Sequence, residues 1–81
     1  LVNEYLAAND EPVYHFDFYR INSVEEAYDM GFDQYLDSGH YCFIEWPERV
    51  DSLLPEQRIE VHLEVENEDR LLHWREIGSP Q

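Results

Sequence analysis

Apolar residues in this chain fall into short runs separated by acidic and polar turns. Residues 1–6 (Leu-Val-Asn-Glu-Tyr-Leu) read as a short strand and residues 7–11 (Ala-Ala-Asn-Asp-Glu) as a turn. Pro12 can open the next strand, because a first-position proline costs no ladder bond. Residues 13–19 are largely apolar or aromatic, as expected of a strand covered on both faces. Ser23-Val24-Glu25-Glu26 fits a capping box, with Ser23 as cap and Glu26 reaching back. Val24, Ala27 and Tyr28 then share one helical face, and Gly31 suits a left-handed stop, which predicts a helix over 24–30. Residues 33–36 suit one further turn, and Ser38-Gly39 marks a loop.

Tyr41–Glu45 reads as a second buried strand. Pro47-Glu48-Arg49 opens a short helix through Leu54, with Pro55 ending it. Arg58–Glu66 alternates cleanly: Ile59, Val61, Leu63 and Val65 face one way, Glu60, His62, Glu64 and Glu66 the other. That pattern predicts a strand with one wet face. Asn67-Glu68-Asp69 makes a turn, residues 70–77 return as an antiparallel hairpin, and residues 78–81 form a tail. Helices lying between buried strands indicate an α/β sheet, and the terminal hairpin suggests that the sheet is mixed.

A length of 81 residues supports one small domain. Such a chain buries only about 60% of its unfolded surface. A hydrophobic content of 43% and an aromatic content of 15% argue against disorder despite 30% charged residues, and the aromatics are expected to supply the core. Nineteen acids face five arginines and no lysine, a formal net charge of -14. This disfavours direct contact with nucleic-acid phosphate or an anionic membrane, and favours basic protein partners or cations. The lone Cys42 excludes an internal disulfide, fits a reducing, cytoplasmic setting, and reads as a small buried apolar residue. No apolar segment is long enough for a membrane span or signal peptide.

The chemistry-bearing residues are Asp17 and Glu45, each an acid at the end of an apolar run. Magnesium takes one or two carboxylates, phosphate oxygens and several waters, so two strand-end acids suit a phosphate site. The same acids at strand ends also suit pairing with arginines or backbone N–H groups. His15 and Asp17 form a His-x-Asp pair on one strand face, but no third ligand for zinc is evident, which favours a hydrogen-bonded structural histidine. His40, His62 and His73 show no ligand spacing. Trp46 suits packing on a ligand or closing the core beside Pro47, and Trp74 suits packing. Arg20 suits an intramolecular ion pair or a phosphate. With three glycines and no lysine, no glycine-rich phosphate loop exists within these residues.

Leu1-Val2-Asn3-Glu4-Tyr5, the run from Pro12 through His15-Phe16-Asp17-Phe18-Tyr19-Arg20, Ile44-Glu45-Trp46-Pro47-Glu48-Arg49 and Leu54-Pro55 together resemble the carboxy-terminal part of the TsaE family. These are bacterial P-loop ATPases required for threonylcarbamoyladenosine formation on tRNA. The resemblance implies a small P-loop NTPase-like α/β domain with a mixed central sheet. It also implies binding of ATP and Mg2+, slow ATP hydrolysis, and work alongside the TsaB and TsaD proteins, with tRNA reached through the complex. Glu45 matches the family's magnesium-associated glutamate, Asp17 an acidic active-site residue acting on water or the metal shell, and Trp46 a tryptophan beside the nucleotide. The family's Walker A loop has no counterpart here. The opening on Leu1-Val2, without an initiator methionine, reads as a strand already under way. Residues 1–81 are therefore expected to be the carboxy-terminal part of a single P-loop ATPase domain, inactive alone. The alternatives are a small acidic, non-catalytic protein-binding module and a divalent-metal protein using Asp17, Glu45 and His15.

Overall fold

A computed structural model describes residues 2–78; Leu1, expected to start the first strand, and positions 79–81 of the expected tail lie outside the described residues. Strand β1 (Val2–Leu6) runs antiparallel to β2 (Pro12–Asp17). Two short helices follow, α1 (Val24–Asp29) and α2 (Phe32–Leu36), and the chain returns as β3 (Tyr41–Glu45), parallel to β2. The sheet order is β1-β2-β3, a mixed sheet with β2 in the centre. A 3-10 helix (Pro47–Leu53) leads to β4 (Arg58–Glu66) and β5 (Asp69–Ile77). The mixed character comes from β1; the terminal hairpin, which had suggested it, forms a separate two-stranded sheet.

The core explains why the helices fold where they do. Phe16, Phe18, Ile21, Ala27, Phe32 and Val50 are buried in one cluster. The Phe16 ring meets Phe32 edge-on at 4.9 Å and Tyr35 at 5.3 Å, and stacks on Phe18 at 5.7 Å. Gly31, at φ 87, ends α1 and starts α2, turning Ala27 and Phe32 into the same cluster. Left-handed backbone at that position favours glycine. Ser23 occupies the N-cap with extended backbone, but its side chain makes no capping bond, so the capping box is not formed. A backbone bond from Glu26 N–H to the Ser23 carbonyl (3.2 Å) closes the first turn instead.

Three expectations about burial are corrected. The β2 strand ends at Asp17 and is only half-buried from Pro12 to His15, with Phe16 buried, while β3 is covered on one face only. On β3, Cys42 and Ile44 pack against the core while Tyr41 and Phe43 are exposed. An apolar run cannot distinguish one covered face from two, and the core residues of both helices lie on the Phe16 side. The hairpin carries its apolar row, Ile59, Val61, Leu63 and Val65, in the open together with Leu72 and Trp74. Its half-buried side is instead the base of the opposite face, where Glu60 accepts from Arg58 (3.0 Å) and Arg75 (2.9 Å). The aromatic core consists of phenylalanines; both tryptophans are exposed.

Candidate active site

Strand alternation and register together decide which polar residues meet. Directly paired residues share a sheet face. The pairs Asn3↔His15, His15↔Phe43 and Asp17↔Glu45 therefore place Asn3, His15, Asp17 and Glu45 on the face opposite Phe16. Asp17 and Glu45 end the two parallel strands, at the carboxyl edge where open α/β sheets bind ligands.

Two carboxylates directly opposite each other repel, so each turns to its own donor. Asp17 Oδ1 accepts the Tyr19 N–H at 3.0 Å, a local turn that holds the acid at the strand end. Glu45 Oε1 lies 2.8 Å from His15 Nε2. An ionised carboxylate only accepts, so His15 donates from Nε2. His15 is not Glu45's direct cross-strand partner; the two are diagonal neighbours on the shared face, a spacing that long side chains bridge.

Beside Asp17 lies a cleft of about 290 Å3 lined by Asn3, Asp17, Tyr19 and Arg20. Arg20 lines this cleft and makes no ion pair among the described residues, so the expected intramolecular pair is not formed. Trp46 sits just past Glu45 with left-handed backbone, φ 60 and ψ 50. For a bulky residue that costs about 1–2 kcal/mol, and the following proline disfavours the ordinary helical alternative. The turn lays the indole 4.8 Å from the Tyr19 ring and 5.8 Å from the Arg49 guanidinium. An aromatic shelf thus adjoins the acidic edge.

The donor set limits which metal suits the site. Among the described residues no three His, Cys, Asp or Glu side chains are grouped to hold an ion. A zinc cage needs more. Magnesium, which keeps several waters and takes one or two carboxylates plus phosphate oxygens, needs no such group, so Asp17 and Glu45 are the side chains that could serve it.

Cys42 is half-buried against the core, with its thiol bonded to the Tyr35 carbonyl (3.5 Å), and burial pushes its pKa up, away from nucleophilic use. The hydrogen-bonded histidine expected at His15 is found, with Glu45 as its partner; sequence reasoning missed that partner and the places of Asn3, Tyr19 and Arg49. Only the alternation of polar residues on β1 and β2 hinted at a shared face. The register also sets His62 opposite His73 on the hairpin, which their spacing in the chain does not suggest.

The family profile described as "Threonylcarbamoyl adenosine biosynthesis protein TsaE" matches residues 1–76. Among curated proteins, the chain is 43% identical over 72 residues to the "tRNA threonylcarbamoyladenosine biosynthesis protein TsaE" of Rickettsia conorii, covering 88% of this chain and 40% of that protein. It is 45% identical over 60 residues to the protein of the same name from Rickettsia felis (74% and 34%). The Haemophilus influenzae counterpart is 39% identical over 70 residues (86% and 44%). The chain thus spans less than half the length of these relatives. No solved structure matches it.

Proposed function

The chain belongs to the TsaE family, and from that premise we propose that it is the metal-side, carboxy-terminal part of a single P-loop ATPase domain serving threonylcarbamoyladenosine formation on tRNA. The observation that carries the reading is the register Asp17↔Glu45, which sets two acids side by side on an open face at the carboxyl edge of parallel strands. Bound magnesium would neutralise charge on the phosphates of ATP during hydrolysis. Glu45 would hold that ion through the oxygen His15 leaves free. Asp17, anchored through Oδ1, would present Oδ2 to a water. Trp46 and Tyr19 would flank the nucleotide, and Arg20 would face its phosphates across the cleft.

These 81 residues contain neither lysine nor a glycine-rich loop, so ATP affinity and turnover belong to the intact protein and not to this chain alone. In a cytoplasmic complex, TsaB and TsaD would be the partners, and tRNA would be contacted through them, since a net charge of -14 repels its backbone. No helix among the described residues is long and apolar enough to cross a membrane.

The test is Glu45→Ala in the intact protein. Magnesium-dependent ATP hydrolysis is expected to be abolished with the fold retained; unchanged turnover removes Glu45 from the mechanism. The net charge of -14 favours a second reading, a non-catalytic acidic module that docks a basic protein surface. Under that reading, capture of TsaB and TsaD would survive Glu45→Ala and weaken only with rising salt.

A further inference from the structure

We propose that His15 is a positioning residue for Glu45, fixing which carboxylate oxygen faces the metal. This rests on the reading of Glu45 as a magnesium-site acid. Glu45 lies directly across from Asp17 on an uncovered face, and its own side chain is 60% exposed. A flexible glutamate so placed would swing away from the neighbouring acid and into water. The Nε2–H of His15 prevents that by holding Oε1 at 2.8 Å.

Three features suit His15 to the task. It stands on the central strand, anchored on both sides by pairing with Asn3 and Phe43, and flanked in sequence by fully buried Phe16. Its own side chain is only 28% exposed, so the donor is better fixed than the acceptor. Its Nε2 serves the Glu45 carboxylate, and among the described residues no three His, Cys, Asp or Glu side chains are grouped to hold an ion, so it acts through Glu45. With Oε1 engaged, Oε2 is the oxygen left to bind a cation, and Glu45 would bind it through one oxygen. Partners that orient a metal's ligands typically affect metal affinity by about 10–100-fold. Because water can partly replace an exposed donor, an effect of about tenfold is expected here.

The experiment uses the intact protein with ADP and follows Mn2+ binding by electron paramagnetic resonance, manganese being another ion for oxygen ligands. His15→Ala should raise the apparent Mn2+ dissociation constant about tenfold. His15→Gln, whose side-chain amide can donate to the same oxygen, should recover most of the loss. His15→Ala should add nothing to Glu45→Gln, since a positioning residue has no effect without the group it positions. His15→Leu replaces the alanine variant if thermal melting shows that variant unfolded. Wild-type metal binding in His15→Ala, alongside lost binding in Glu45→Gln, overturns the positioning role and leaves the site standing. Additive effects of the two substitutions overturn it as well. Wild-type binding in Glu45→Gln overturns both the positioning role and the metal site.

Discussion

Replacing Phe16 with alanine tests how the core holds the acidic face in register. Phe16 is fully buried and its ring contacts Phe18, Phe32 and Tyr35 within 5.7 Å. It stands between His15 and Asp17 on the central strand, with its side chain on the opposite face. Truncating a buried phenylalanine costs about 3–5 kcal/mol, transfer and cavity together. Small domains hold only about 5–15 kcal/mol in all, so Phe16→Ala should remove at least about a fifth of the total. Urea unfolding of the intact protein, followed by circular dichroism and tryptophan fluorescence, should show the midpoint falling by about 1–5 M at an unchanged slope of about 1–3 kcal/mol per M. Phe16→Leu should cost about 1 kcal/mol and keep its magnesium dependence, because the opposite face is untouched. A loss below about 1 kcal/mol for Phe16→Ala would refute the claim that this ring holds β2 against the helices.

Asp17→Asn keeps an oxygen for the Tyr19 N–H and removes a charge opposite Glu45. ATP hydrolysis by the intact protein should fall at least about a hundredfold while the metal-free melting temperature does not drop. Gly78 sits at φ 69, and a Cβ there would collide with the Glu56 carbonyl oxygen. Gly78→Ala should therefore destabilise by more than the roughly 1–2 kcal/mol of left-handed strain alone, read as a lowered melting temperature. Bonds from Arg75 and then Arg58 hold Glu60 below the ordinary glutamate pKa of 4.5. A depressed folded pKa means that the clamp's contribution is present above pH 4.5 and lost as pH falls through the folded value. Wild type should therefore exceed Glu60→Gln in stability at neutral pH, with the two converging in acid; a constant gap across that range would contradict the assignment.

Much of the local structure was legible in the residues. Proline at Pro12 and Pro47, glycine at Gly31 and the alternation of Arg58–Glu66 mark element boundaries through backbone sterics that act over a few residues. The acids ending β2 and β3 could be picked out as chemistry because an apolar run terminating in a carboxylate is a local pattern. The capping box failed for an equally local reason: a sequence that permits a side-chain bond does not oblige it when the backbone bond from Glu26 already closes the turn.

What composition and spacing could not decide is adjacency. Nothing within residues 12–17 or 41–45 says that Asp17 pairs with Glu45, or that His15 falls diagonal to it. That register follows from burying Phe16 and Ile44 on one side against Phe32, Ala27 and Val50, which lie far apart in the chain. Slipping one residue would turn the acids into the core, so the hydrophobic packing selects the site's geometry from the opposite face. The left-handed Trp46 and the aromatic shelf on Tyr19 likewise depend on where β3 ends relative to β2. The chain's own residue pattern determined its strands, its helices and the two acids. The tertiary structure alone decided that those acids stand opposite each other with His15 holding one of them, because side chains on a sheet meet through strand pairing and strand pairing is set by the whole core.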